Sequence, residues 1–183
     1  DQLEDLDYSL PRFRTMRMSL EYSHRFGLTP DNPLHVNVSG KTHVFANWND
    51  TDLIHGLNEL LKREDPDIIL TQFGDQTIFP ALFAISQKRR IPLYLDRDVL
   101  PVSRRKIITK GTSFNTYGSW IYSAPSYPLY GRWHIDMINS FVFKESTLHG
   151  IIELARLSRI PVQKLARSST GGALTAIESR VAL

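Results

Sequence analysis

Alternating apolar and polar positions near the start of the chain predict three consecutive strands. Within residues 13–22, apolar side chains alternate with polar ones at the two-residue period of a strand. Residues 34–38 and 42–46 have the composition of a hairpin that turns across residues 39–41. We therefore expect three antiparallel strands in succession.

A second apolar pattern changes from a strand to a helix within a few residues. Residues 67–71 form a short apolar run rich in β-branched side chains, which predicts a buried strand. Gly74 permits a sharp turn, and Asp75 or Thr77 can cap the helix predicted for residues 77–89. Because open α/β sheets carry their chemistry at the carboxyl ends of parallel strands, Asp75 lies where a functional residue is expected.

The rest of the pattern adds helices and one further strand. It predicts a helix that begins at Asn49 or Asp50 and ends near Glu64, a strand at 93–95, and helices at 148–157, 162–167 and 173–183. Residues 96–133 follow no clear period, which favours irregular strands or a hairpin. We expect Asp136 to cap a helix and His134 to be a hydrogen-bonded core residue. This order predicts an α/β fold, a mixed sheet with helices on both faces, as in ribonuclease-H-like proteins.

Composition limits which metal and disulfide sites are possible and indicates the compartment of the protein. None of the 183 residues is cysteine, so a disulfide framework and a thiolate metal site are excluded. The six histidines lack the spacing of a zinc site. No apolar run approaches the roughly 18 residues of a membrane span. The chain begins with Asp and shows no signal peptide, so we expect a processed or excised piece of a cytoplasmic protein with no membrane partner.

Charge is unevenly distributed along the chain. Residues 1–75 carry seven Lys and Arg against thirteen Asp and Glu, a balance of −6. Residues 76–183 carry fifteen against six, a balance of +9. This asymmetry favours a polyanionic partner for the second part, although two solvated faces of opposite charge would give the same counts.

Three stretches together resemble a known family. They are residues 65–69 with 79–82, residues 131–136, and residues 153–171, where Leu-x-Arg-Leu is followed by Arg-x-Ser-x-Gly. They resemble the 3′–5′ exonuclease region of family B DNA polymerases and the helices that lead into the polymerase palm. The resemblance implies DNA, single-stranded or primer–template, as a partner, with the palm, fingers and thumb as neighbouring domains.

The same resemblance divides the chain into three parts. Residues 1–12 form an acidic linker, and residues 13–147 form the exonuclease-like domain. That domain contains a basic and aromatic insertion at 96–133. Residues 148–183 form a helical connection to the palm.

The carboxylates of the family's nuclease site are incomplete in this chain. That site holds two Mg²⁺ ions through carboxylates from three motifs. At the matching positions Ser19 replaces the first aspartate, Glu21 is kept, and Phe73 and Ile78 replace the polar residues of the second motif. The third motif is not found, which resembles a divergent archaeal clade with disrupted exonuclease motifs. Glu21 and Asp75 are weak metal candidates, and no cofactor is expected in this part of the polymerase.

Basic and aromatic side chains supply the candidate DNA contacts. Cations neutralise phosphates, and aromatic rings stack on unpaired bases. The candidates are Arg97, Arg104, Arg105, Lys106, Lys110, Tyr117, Trp120, Arg167 and Ser168. The alternative is that the aromatic side chains form a core and the charges a solvated edge.

Three interpretations of function remain open at this point. The leading one is an exonuclease-like domain that has lost its chemistry and serves as a scaffold and DNA guide. The second is an active metal-dependent 3′–5′ exonuclease that uses Glu21 and Asp75. The third is a structural domain that holds the palm or binds a protein partner.

Overall fold

Strands and helices alternate through most of the chain. A computed structural model describes residues 11–46, 48–98, 112–116, 119–123, 125–168 and 170–181. The strands are β1 (Thr15–Leu20), β2 (Leu34–Val38), β3 (Lys41–Phe45), β4 (Ile68–Thr71), β5 (Thr112–Thr116), β6 (Ser119–Ser123) and β7 (Trp133–Asp136). The helices are α1 (Asp50–Glu64), α2 (Phe79–Arg89), α3 (Phe141–Ser158), α4 (Val162–Leu165) and α5 (Thr170–Val181).

Five of these strands form one mixed sheet in the order β3-β2-β1-β4-β7. β2 is antiparallel to both β1 and β3, whereas β4 is parallel to both β1 and β7. The predicted order and directions of the first four strands are therefore confirmed. The hairpin between β2 and β3 turns at Ser39 and Gly40, whose φ angles of 52° and 75° are the left-handed pair that a two-residue hairpin requires.

The sheet is covered on both faces by separate apolar clusters. On one face the strands pack against α1 and α2 through a cluster that includes Met16, Met18, Val36, Leu57 and Leu82. On the other face they pack against α3 and α4 through Ile68, Leu70, Ile135, Ile151 and Leu165. Each such side chain contributes about 1.5–3 kcal/mol when fully buried. The predicted α/β architecture, a ribonuclease-H-like mixed sheet flanked by helices, is confirmed.

The turn after β4 contains a π-helical segment that the sequence does not indicate. Gly74–Ile78 form one π-helical turn, and α2 begins only at Phe79. Gly74 is required there, because a Cβ at this position would lie 2.0 Å from Thr71 Oγ1. The expectation that Asp75 or Thr77 caps the helix is wrong. The π turn continues directly into α2, and no side chain makes a capping bond at its start.

Two further expectations are wrong for local reasons. Residues 93–95 form no strand. The Tyr94 N–H instead donates to the side chain of Asn58, which also donates to the carbonyl oxygen of Pro92, just before this segment. Asp136 ends β7 instead of capping a helix. The N-cap of α3 is Ser140, whose hydroxyl accepts from the Phe143 N–H.

The helices of the second part differ from the predicted ones mainly in their ends. α3 begins seven residues before the predicted helix at 148–157, and it contains a non-helical residue at Thr147, with φ 62°. β5 and β6 pair antiparallel as a separate hairpin, in agreement with the interpretation of residues 96–133. The division at residues 147 and 148 stays a prediction. In the described ranges, no helix combines the length and apolarity needed to cross a membrane.

Candidate functional site

Three parallel strands end at the same edge of the sheet, and acidic residues lie at or just after each end. Glu21 follows β1, Asp75 follows β4, and Asp136 is the last residue of β7. Open α/β sheets bind their ligands at this carboxyl edge. The surroundings of these three carboxylates therefore decide what chemistry the edge can perform.

Asp75 is completely buried, and its carboxylate accepts four hydrogen bonds. Oδ1 accepts from the Tyr127 N–H at 2.8 Å and from Arg167 Nη2 at 2.9 Å. Oδ2 accepts from Arg167 Nε at 3.0 Å and from Asn139 Nδ2 at 3.0 Å. Four donors match the lone-pair sites of an ionised carboxylate. The two bonds from Arg167 make a bidentate ion pair, the strong form of charge-assisted hydrogen bond.

The charge state of Asp75 follows from opposing effects. Burial acts to raise its pKa, but His134, Arg167 and the hydrogen bonds from Arg167 and Asn139 outweigh burial and hold the pKa below its usual value. His134 is itself neutral near pH 7, because burial lowers its pKa to about 4. Arg167 is therefore the cation that keeps Asp75 ionised inside the protein.

His134 joins β7 to the strand and loop beside it. Its Nδ1 lies 2.8 Å from the Tyr127 carbonyl oxygen, an acceptor, and 3.1 Å from Arg167 Nη2, a donor. The closer acceptor favours the neutral tautomer with its proton on Nδ1. Nε2 then accepts from Thr71 Oγ1 at 2.9 Å. The prediction of a hydrogen-bonded core histidine is confirmed.

Thr71, His134 and Asp75 are the residue types of a hydroxyl nucleophile, a base and an acid. All three are fully buried, however. The imidazole proton lies closer to the Tyr127 carbonyl than to Asp75, whose Oδ1 is 3.6 Å from Nδ1. The arrangement is therefore structural, since a substrate has no access to the hydroxyl.

Asp136 stabilises the turn after β4 instead of a helix. Its Oδ1 accepts from the N–H groups of Phe73 and Ile138, and its Oδ2 accepts from the Asp75 N–H at 2.9 Å. Burial raises the pKa of Asp136, and the charge of Asp75 adds to this effect against the backbone hydrogen bonds. The Asp136 side chain thus binds the main chain of the turn that carries Asp75.

The other positions compared with the nuclease motifs lie against protein partners. The Glu21 carboxylate contacts the imidazole of His35. Ile78 is fully buried in the apolar cluster, and Phe73 stacks on His24 with ring centroids 3.8 Å apart. In the part of the chain that the structure describes, no three His, Asp or Glu side chains are placed to hold a metal ion.

Comparison with known proteins identifies a similar structure. A family B DNA polymerase from the hyperthermophilic archaeon Pyrobaculum calidifontis superposes with a TM-score of 0.60 and 19% identity over 94% of this chain. The chain has the fold of part of a family B DNA polymerase. It spans only 29% of that polymerase. No family model and no curated protein matches the sequence.

The candidate DNA contacts that the structure describes differ in their protein partners. Arg97 donates to the carboxylates of Asp65 and Asp67 and to three main-chain carbonyl oxygens. Arg167 pairs with buried Asp75, and Ser168 Oγ donates to Lys164 O. Trp120 lies on β6. The predictions for Arg104, Arg105, Lys106, Lys110 and Tyr117 fall outside the described residues.

The ion pair leads to a test of stability. Replacing Arg167 by Met leaves the Asp75 carboxylate buried without its cation, which should cost about 3–5 kcal/mol of unfolding free energy in urea. The matched control is Arg156→Met, which breaks a more exposed pair with Glu153 and should cost less than about 1 kcal/mol. In a double-mutant cycle with Asp75→Asn, the double variant should be more stable than the two single effects predict. Simple additivity would contradict a direct interaction.

The lowered pKa of His134 predicts that the stability of the folded chain depends on pH. Its pKa is lower in the folded chain, about 4 against 6.5, so the neutral ring favours folding and this contribution is lost as pH falls from about 6.5 to 4. At about 1.4 kcal/mol per pKa unit, the loss is about 3 kcal/mol. Asp136 acts in the opposite direction, because its raised pKa favours folding on protonation.

Urea unfolding across this pH range measures the effect. His134→Gln should flatten the dependence between about pH 6.5 and pH 4, whereas His55→Gln, at an exposed position of α1, should leave it unchanged. An equal dependence in wild type and His134→Gln would assign the pH effect to other groups.

Proposed function

We propose that this chain is the exonuclease-like domain of a family B DNA polymerase, that it has lost metal-dependent cleavage, and that it serves as a scaffold and DNA guide. The observation behind the proposal is the buried bidentate pair between Asp75 and Arg167. Asp75 is the acidic residue nearest the second nuclease motif, and all its lone-pair sites are occupied by protein N–H groups.

The donor set supports the loss of chemistry. A two-metal nuclease needs several carboxylates around ions about 3.5–4 Å apart. Mg²⁺ binds through carboxylates and retained waters. Ser19 offers a neutral oxygen, Ile78 offers none, and Asp75 is fully engaged by its donors. These residues do not fit a pair of magnesium ions.

The scaffold role is supported by the way the helical segment is fixed to the sheet. Arg167 reaches from the end of α4 to the turn after β4, across 92 positions of sequence. Gln163, on α4, accepts from the N–H groups of Leu129 and His134 and donates to the Leu129 carbonyl. In the family B DNA polymerases that the chain resembles, the corresponding segment leads to the palm. The same contacts would hold the exonuclease-like domain in a defined orientation relative to it.

The loss of chemistry is tested directly. A labelled single strand incubated with the chain in magnesium or manganese should keep its length, because too few anionic ligands remain to hold two ions. Gel electrophoresis over time measures the outcome. Metal-dependent shortening that Glu21→Gln abolishes would establish the active exonuclease interpretation instead.

The DNA-guide part rests on the positive excess of residues 76–183. Single-stranded DNA should bind weakly and with strong salt dependence, since each phosphate contact contributes about −0.7 to the slope of log K against log salt. Replacing Arg104, Arg105 and Lys106 together by Ala should reduce the magnitude of that slope by up to about 2 and weaken all sequences alike. Fluorescence anisotropy across a salt series measures both quantities.

The DNA-binding test has one control variant and two outcomes that would contradict the DNA-guide role. Lys62 and Arg63, in the last turn of α1, belong to the acidic first part, and their replacement by Ala should leave the slope nearly unchanged. An unchanged slope in the triple variant would move the binding surface elsewhere. Absence of binding at low salt would favour a purely structural domain.

A further inference from the structure

A pocket of about 360 Å³ opens at the amino ends of the parallel strands, opposite the edge that holds Asp75. Phe13, just before β1, and Trp133, the first residue of β7, form an aromatic wall with ring centroids 5.2 Å apart. Arg97 and Arg132 also line the pocket. The positions compared with the metal ligands, Ser19, Glu21, Phe73 and Ile78, do not line this pocket.

Arg132 is the unusual residue of the pocket. Its side chain is only 5% exposed, and it makes one ion pair, from Nη2 to Asp65 Oδ1 at 3.3 Å. The Nε and Nη1 atoms are buried and have no hydrogen-bond partner among the described residues. A buried guanidinium with unsatisfied N–H groups is costly, so an acceptor is expected to meet them.

The acceptors of the pocket itself are already engaged. Asp67 accepts from Arg97 Nη2 through Oδ1 and from the Arg14 N–H through Oδ2. The carbonyl oxygen of the Gln163 side chain accepts two main-chain N–H groups. None of these acceptors is within hydrogen-bonding distance of Nε or Nη1 of Arg132, and an acceptor on a bound molecule would complete them.

Charge indicates what kind of molecule fits. Arg132 experiences burial and the charge of Arg97, which both lower its pKa, against the opposing charges of Asp65 and Asp67. Both aspartates are bound to Arg97, at 2.9 and 3.0 Å. An additional anion would satisfy the free N–H groups and offset the repulsion between the two guanidinium groups, whereas a metal cation would increase it.

We propose that this pocket binds a phosphate-type oxyanion through Nε and Nη1 of Arg132, beside the rings of Phe13 and Trp133. Guanidinium is the protein group best matched to phosphate oxygens, and it is strengthened where water is partly excluded. The ligand is either free phosphate or a phosphate group of DNA. The proposal does not depend on the loss of nuclease chemistry, because the two sites lie at opposite edges of the sheet.

Calorimetric titration with inorganic phosphate at constant ionic strength tests the site. Arg132→Gln should weaken phosphate binding at least about tenfold, because a charge-assisted interaction is removed. The matched control is Arg63→Gln, which removes an exposed arginine paired with Glu64 and should leave the affinity unchanged. Unchanged phosphate affinity in Arg132→Gln, or an equal loss in Arg63→Gln, would overturn the proposal.

A second measurement covers the case in which Arg132→Gln does not fold. In the wild-type chain, phosphate should raise the melting temperature more than chloride does at equal ionic strength. It should also shift one buried arginine Nε–H signal in a saturable way by nuclear magnetic resonance. Absence of both effects means that ordered water satisfies Arg132, which overturns the proposal.

A further comparison distinguishes free phosphate from a phosphate group of DNA as the ligand. A short single strand with a 5′ phosphate is compared with the same strand lacking it, in wild type and in Arg132→Gln. A preference for the phosphorylated strand that disappears in the variant identifies a DNA terminus as the ligand. Equal binding of both strands, together with binding of inorganic phosphate that depends on Arg132, identifies a free phosphate compound.

Discussion

The buried carboxylate of Asp75 is the constraint on which the arrangement around the carboxyl edge depends. An ionised group without water has to be compensated by opposite charge and by hydrogen bonds, or it becomes neutral. Here four N–H groups from three segments meet it: the loop before β7, the segment after β7, and the end of α4. One side chain thereby fixes the relative positions of elements that are distant in sequence.

The same constraint relates structure to the proposed loss of chemistry. A catalytic carboxylate has to keep lone pairs and solvent access for its metal ion, whereas a structural one has to give up both. Asp75 is fully buried, and protein donors occupy its lone-pair sites. Its neighbours agree with this role, because Asp136 binds the main chain of the same turn and His134 remains neutral between β4 and β7.

Local patterns of sequence predict the elements better than the site. The first four strands and α1 follow from alternation, from a short apolar run, from helical spacing and from the Asn49 cap, all of which act over a few residues. The position of Asp75 at the carboxyl edge was equally predictable. Its partner was not, since a tertiary ion pair to Arg167 leaves no periodic signal. Asp136 was misassigned because an aspartate near a helix start satisfies the capping rule whether or not the helix begins there.

The two edges of the sheet differ in how completely their buried polar groups are satisfied. At the carboxyl edge the Asp75 carboxylate has a donor for each lone-pair site. At the amino edge two buried nitrogens of Arg132 have no acceptor within the described ranges, beside a pocket and a second arginine. Folded chains satisfy nearly all such groups. The unsatisfied guanidinium beside the pocket is therefore the observation that supports the proposed anion site, even though that edge is the less usual place in an open α/β sheet.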